Sequence, residues 1–230
     1  MKKLSSFTLK IIAIISMLLD HIYTYIGGAG MDIPIWFGYL GKIAAPIFFY
    51  LIVEGFFYTR DRNKYLFRLA SCGVVMIGID KILGIQNNIF LSLSLAVVLM
   101  MFLEKIKDSN SNKIVMIIGA IVTSFLFLFT EASIYGLAMV IIFYLFKNKA
   151  IIMSILYSLY SLLPVLMAIG SDNMYEQLFL FDYQWMMIFG LPFILMYNGK
   201  LGLKNTFTKW MFYIFYPAHL IIIVLLTRGL

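Results

Sequence analysis

The sequence predicts an all-α, polytopic integral membrane bundle whose amino terminus lies in the cytoplasm. Three observations point there. Hydrophobic residues make up 63% of the chain against 13% charged, the apolar residues run on without strict alternation, and Lys and Arg recur in alternate connections. Ordinary soluble domains are about a quarter charged, and a core of 230 residues could not hide this much apolar surface. A bilayer solvates such surface directly, but it obliges every backbone N–H and C=O to pair inside a helix or a closed barrel. Barrel strands would read as segments of about ten residues, alternately apolar and polar. The long continuous runs favour helices.

Spans are placed where roughly 20 mainly apolar residues lie between polar punctuation. About nine are predicted on that length rule, over residues 7–27, 34–58, 66–84, 88–103, 114–130, 133–146, 150–169, 181–197 and 210–228. The fourth to sixth are short, so a re-entrant hairpin in place of two of them leaves eight or seven open. Lys2, Lys3, Lys10, Arg60, Arg62, Lys64, Arg68, Lys105, Lys107, Lys113, Lys147, Lys149, Lys200, Lys204 and Lys209 fall on one side. Asp32, Asp80, Glu131, Asp172 and Glu176 cluster on the other, Lys81 and Arg228 border it, and Lys42 lies inside a span. The positive-inside rule then makes the amino terminus cytoplasmic and puts Leu230 outside.

That topology accounts for the net charge of +7 without a ligand. Nucleic acid is not an expected partner, because no segment outside the spans is long enough to fold into a basic face. The basic start and Gly27-Gly28-Ala29-Gly30 imitate a signal peptide, but Asp20 and His21 interrupt the apolar run and the first helix is expected to be kept. Cys72 is the one cysteine, which excludes an internal disulfide. Without a visible linker or internal duplication, the chain is expected to form a single transmembrane domain over residues 1–230, in the cytoplasmic (inner) membrane.

Ionisable residues inside spans carry the functional signal, since each costs about 2.5–3.5 kcal/mol on insertion scales and calls for a partner or a purpose. Asp20 and His21 are consecutive, so their side chains point about 100° apart and cannot chelate one atom together. Lys42 lies at a depth comparable to Asp20, which makes an interhelical pair between them the structural expectation. Glu54 follows in the same span, on the inner side of Pro46. In the last span Tyr216 and His219 share a face, and Pro217 between them frees the carbonyl of Tyr213. The chain has only two histidines, both mid-span. Imidazole takes and returns a proton near neutral pH, so the two together suggest proton handling. His21, His219, Asp20 and Glu54 show no metal-ligand spacing, and no metal is expected. The loop from Thr59 to Arg68 sets topology, or offers Arg60, Arg62, Lys64 and Arg68 to a polyanion, with Glu54 placed to orient one arginine.

Several of these residues sit in stretches that resemble one family. Leu18-Leu19-Asp20-His21-Ile22, Gly41-Lys42-Ile43-Ala44-Ala45-Pro46-Ile47-Phe48, Glu54-Gly55-Phe56, Thr59-Arg60, Lys64-Tyr65 and Arg68-Leu69 come first. Asn88-Ile89-Phe90, Tyr135-Gly136, Tyr197-Asn198-Gly199-Lys200-Leu201-Gly202 and Phe215-Tyr216-Pro217-Ala218-His219-Leu220 follow. Their order, over nearly the whole chain, resembles the TraX family, named for a conjugation protein that N-acetylates the amino terminus of F-type pilin. The resemblance implies a membrane-embedded acetyltransferase that moves an acetyl group from cytoplasmic acetyl-CoA to an amine or hydroxyl acceptor. That acceptor would be a pilin-like peptide or another envelope component. The residues themselves fit that chemistry, with His21 as general base oriented by Asp20, and His219 with Tyr216 as second base or oxyanion donor. Lys42 would stabilise the tetrahedral intermediate. Arg60, Arg62, Lys64 and Arg68, with Glu54, would hold the CoA phosphates. A proton-coupled transporter or flippase built on the same residues, or a non-catalytic membrane partner of an assembly system, stays open as an alternative.

Overall fold

The computed structural model describes residues 3–109, 111–203 and 205–229. The predicted cytoplasmic cations Lys2 and Lys204, the side chain of Lys209, and Leu230 lie outside what is described. Among the described residues every regular element is helical, apart from one isolated parallel bridge between Leu4 and Tyr197. The chain divides into two compact units, Met1–Phe48 with Phe146–Leu230, and Phe49–Leu145.

The first unit opens with α1 (Ser6–His21), which passes directly into a π-helical stretch, Ile22–Gly27. Ser5 caps α1 by accepting the Thr8 amide, while the Ser6 and Phe7 amides donate to the carbonyls of Lys200 and Leu201. The orphan donors of a helix start are thereby met from a distant loop. Next, α2 (Trp36–Gly41) and α3 (Ala44–Tyr58) are separated by a break at Lys42 and Ile43. Pro46 explains the break, because it has no N–H to bond the carbonyl of Lys42 four residues back. After the second unit the chain continues with α8 (Ala150–Ser161), α9 (Leu163–Ala168), the single turn α10 (Met174–Glu176), a π stretch Gln177–Phe181 and a 3₁₀ stretch Gln184–Gly190. It ends with α11 (Leu191–Leu195) and α12 (Thr206–Arg228). Asn205 and Thr208 form a reciprocal capping box at the start of α12, and the helix runs unbroken through Pro217.

The second unit holds the end of α3, α4 (Arg62–Leu83), α5 (Ile89–Lys107), α6 (Lys113–Phe127) and α7 (Ser133–Leu145). Side-chain caps at Asp61, Asn88 and Asn112 start α4, α5 and α6, and Gly84 closes α4 in the left-handed conformation. Phe49, Phe56, Phe90, Phe127 and Phe143 are fully buried. In lipid no water drives helices together, so association rests on close packing that small residues permit. Gly136 supplies this by fitting against Phe49 and Phe127, and Gly119 by fitting against Phe102.

Five helical stretches are long and apolar enough to cross a bilayer: Ser6–Gly27, Trp36–Tyr58, Ile89–Lys107, Ala150–Ala168 and Trp210–Arg228. A sixth arises if Met174–Phe181 and Gln184–Leu195, bent by 62°, act as one broken span. Every segment predicted from the sequence is helical, but three fall short of a complete crossing by length or composition. α6 and α7, with 15 and 13 residues, reach about 20–22 Å against a hydrocarbon core of about 30 Å. α4 is long enough, yet Arg62, Lys64, Arg68, Asp80 and Lys81 leave only residues 69–79 free of charge. Large apolar side chains nonetheless stand on the outside of many helices, with Ile82, Ile151 and Met167 at least three-quarters exposed. A surface of that kind is at home in lipid and would aggregate in water. The chain is a helical membrane protein.

Candidate active site

The two histidines meet in the first unit. His21 ends α1 where the π stretch begins, and His219 lies thirteen residues into α12. Their rings lie nearly parallel at 14°, with His21 Nδ1 2.6 Å from His219 Nε2. Both are buried, at 4% and 5% exposure. On its other side, His219 Nδ1 is 2.8 Å from the carbonyl oxygen of Phe215. A carbonyl can only accept, so His219 Nδ1 carries the hydrogen, and in the neutral ring Nε2 is then a bare acceptor. His21 Nδ1 must therefore donate to it. The chain of bonds ends by fixing His21 in the tautomer whose Nε2 holds a lone pair, the form a general base requires. Tyr216 is fully buried and stands edge-on to both imidazoles, at 6.1 Å from His21 and 5.7 Å from His219. Phe215 stacks on His219 at 4.8 Å.

Asp20 turns to a different neighbour. Its carboxylate receives Lys42 Nζ at 3.1 Å, both side chains being about a quarter exposed. The break between α2 and α3 is what frees Lys42 to reach it. Gly41 is the companion requirement, since a Cβ there would overlap the Asp20 side chain. Lys42 also lies over the ring of Tyr183, 5.2 Å from its centre. Tyr23 and Tyr39 present their rings to Tyr183 at steep angles, and the Tyr183 hydroxyl fits into the space left by Gly38. Tyr39 donates its own hydroxyl to the Phe179 carbonyl at 2.6 Å. The carbonyl that enters the histidine site is that of Phe215, two residues beyond the one Pro217 was expected to release.

The predicted polyanion-binding residues belong to the second unit. Arg60 is exposed and Glu54 buried. Asp61 caps α4 and pairs with Lys64 at 3.4 Å, in the open. The Lys64 backbone amide donates to the Asp61 carboxylate and holds it below the usual carboxylate range. The Arg62 guanidinium lies 4.1 Å over the Phe56 ring, and Arg68 lies over Tyr65 at 5.8 Å. The Tyr65 hydroxyl is seated against Gly55. Among the described residues no three His, Cys, Asp or Glu side chains come together as a metal site would require.

The order of these pieces along the chain matches the family described as "TraX protein" over residues 5–227. This chain belongs to the TraX family. It is similar, at 29% identity over 233 residues, to a protein of Dichelobacter nodosus named "Probable fimbrial assembly protein FimC, serogroup H1". The match covers 94% of this chain and 93% of that protein. No solved structure matches.

Within this TraX-family chain, the structure joins His21 to His219 and Asp20 to Lys42, and places Tyr216 against both imidazoles. Asp20, expected to orient His21, bonds Lys42, and His21 bonds His219, because adjacent helical residues face different neighbours. Sequence reasoning missed a second polar cluster. Tyr144 donates to Glu104 Oε1, and Lys107 reaches both Glu104 and the Tyr144 hydroxyl, at 3.3 and 2.9 Å. Glu104 stands among basic residues at a helix end and reads as solvated, and Tyr144 is one of 15 tyrosines. The one available signal is that Glu104 is an acidic residue inside a basic stretch.

Proposed function

We propose that this protein is a membrane-embedded acetyltransferase of the cytoplasmic membrane, taking its acetyl group from cytoplasmic acetyl-CoA. The observation that carries the reading is the buried His21–His219 pair, closed at its far end by the Phe215 carbonyl, which can only accept a hydrogen. As the acceptor amine or hydroxyl attacks the thioester carbonyl carbon, His21 Nε2 takes its proton. The tetrahedral intermediate then collapses, the C–S bond breaks, and the proton passes from His21 to the departing thiolate. Attack without a base is slow, and a positioned imidazole typically contributes about 10² to 10⁴ in rate. Tyr216 and Lys42 are the donors assigned to the developing oxyanion. Arg60, Arg62, Lys64 and Arg68 supply cationic groups suited to the CoA phosphates. Glu54, buried in the same unit, is the carboxylate that would orient one of them.

Family membership supports acyl transfer, and the fimbrial name of the Dichelobacter relative supports an acceptor in pilus or fimbrial assembly, such as the amino terminus of a pilin-like peptide. The topology proposed is a cytoplasmic amino terminus with an odd number of crossings, which is nine if α4, α6 and α7 each cross despite their length or charge. It is supported by a parity argument. Leu4 pairs in parallel with Tyr197 just ahead of α12, so α1 and α12 start from the same side, and the number of crossings is odd if both span. Nine and seven satisfy that condition and eight does not.

The test is to incubate purified protein in liposomes with acetyl-labelled acetyl-CoA and an amino-terminal acceptor peptide, and to measure free CoA thiol and label on the peptide. Release that requires His21 is the expected result. Proton flux driven by a substrate, without CoA turnover, would replace the enzyme by a transporter. If His21→Ala and His219→Ala leave fibre assembly intact, the chain is a non-catalytic partner.

A further inference from the structure

The segment Met196–Gly202, which contains the motif Tyr197-Asn198-Gly199-Lys200-Leu201-Gly202, plays no part in the chemistry above, yet it is tied to the start of α1 by four backbone hydrogen bonds. Leu4 N–H donates to the Met196 carbonyl and Asn198 N–H to the Leu4 carbonyl, both at 2.9 Å. Ser6 and Phe7 N–H donate to the Lys200 and Leu201 carbonyls at 2.8 and 3.0 Å. The loop is shaped for this. Gly199 and Gly202 take positive φ, 76° and 75°, which suits glycine, and Asn198 Oδ1 accepts the Lys200 amide at 2.9 Å. Gly202 lies so close to Ser5 that a Cβ would meet the Ser5 hydroxyl, whereas the space around Gly199 is open.

From this stitched end, α1 and α12 run in the same direction. His21 lies fifteen residues beyond Ser6 and His219 thirteen beyond Thr206, or about 22 and 20 Å at 1.5 Å per residue. The imidazole bond has little slack. From 2.6 Å to the usual limit of about 3.2 Å leaves roughly 0.6 Å, less than half of the 1.5 Å that a one-residue slip of either helix would introduce.

We propose that the Met196–Gly202 segment is a register clamp, a set of positioning residues that holds α1 against α12 so that His21 and His219 meet at one depth. Its importance for turnover rests on the reading of that pair as the catalytic base.

The presence of only two histidines in the chain makes the clamp directly testable. Protein labelled with ¹⁵N-histidine, in nanodiscs, should show scalar coupling across the bond between His21 Nδ1 and His219 Nε2. Gly202→Ala, strained and in collision with Ser5, should lose the coupling with helix content unchanged. Gly199→Ala shares the positive φ but meets open space, and should keep it. A disulfide from Leu4→Cys and Tyr197→Cys, in a Cys72→Ser background, should restore the coupling to Gly202→Ala. Coupling that survives Gly202→Ala, or that vanishes equally in Gly199→Ala, overturns the clamp. Should Gly202→Ala not fold, Asn198→Ala removes the acceptor for the Lys200 amide and is the second variant; unchanged coupling there overturns the proposal too. Acetyl transfer by the same samples separates the two readings. Coupling lost in the clamp variants, with no transfer by the native protein, leaves the clamp standing and removes the enzyme. Native transfer with coupling indifferent to Gly202→Ala does the reverse.

Discussion

Removing His219 should be less damaging than removing His21, although the two imidazoles are equally buried. In His21→Ala the base itself is gone, and a general base typically contributes about 10² to 10⁴ in rate. In His219→Ala the base remains but its Nδ1–H loses the acceptor that lies 2.6 Å away. An unsatisfied donor at a site this enclosed costs about 1–3 kcal/mol. At 1.36 kcal/mol per tenfold, the tautomer with the proton on the wrong nitrogen then gains a factor of about 5 to 150, and kcat falls by that range. The Michaelis constant for acetyl-CoA should hardly move, since the cations assigned to the CoA phosphates are elsewhere in the sequence. His219→Gln provides a sharper comparison. Its amide oxygen can take the place of Nε2 and accept the same hydrogen, so it should recover most of what His219→Ala loses. The assay is initial-rate CoA release by purified variants that elute as monodisperse species in detergent. A larger loss in His219→Ala than in His21→Ala, or a Gln variant no better than Ala, would refute the tautomer argument.

Three further outcomes are expected. Neutralising one member of the Asp20–Lys42 pair strands a charge that is only about a quarter exposed, so Asp20→Asn should lower thermal stability by about 1–3 kcal/mol. The double variant Asp20→Asn/Lys42→Met should regain much of it, as read by the unfolding midpoint in detergent. Asn88 caps α5 and also donates to the buried Gly73 carbonyl at 2.9 Å, so Asn88→Ala should cost about 1–3 kcal/mol; a shift within error would deny both bonds. The depressed acidity of Asp61 makes its cap pH-dependent. The cap is fully in place above the ordinary carboxylate value of about 3.9 and is lost as pH falls through the lower folded value. Exchange protection of the Lys64 amide should follow that course in the native protein and be flat with pH in Asp61→Ser.

The helices and the reactive side chains were legible in the sequence for one reason: a polar residue in an apolar run is conspicuous. Asp20, His21, Lys42 and His219 stood out against their spans, and depth alone was enough to pair Asp20 with Lys42. Which imidazole nitrogen faces which acceptor was not readable, because it depends on helix rotation and on the Phe215 carbonyl, an atom every residue possesses. The break at Lys42 follows from Pro46 once the missing hydrogen bond is counted, but the π-helical stretch after His21 has no comparable mark in Ile22–Gly27. The Tyr183 ring under Lys42, with Tyr23 and Tyr39 packed against it, was hidden by abundance, since aromatic residues are 17% of the chain. The α1 clamp was hidden differently. Its bonds are backbone to backbone, so only the glycines hint at it. Span number is less legible, because apolarity marks a span but length decides a crossing, and the 15 residues of α6 and 13 of α7 are fewer than the roughly 20 that a full crossing takes.

The catalytic reading stands most exposed to mass spectrometry of surface and membrane peptides from cells that lack this protein, complemented with either the native chain or His21→Ala. An acetylated peptide amino terminus, or acetylated envelope component, present with the native chain and absent with both the empty strain and His21→Ala is the expected result. Identical acetylation in all three strains would contradict the assignment of acetyl transfer to this histidine pair.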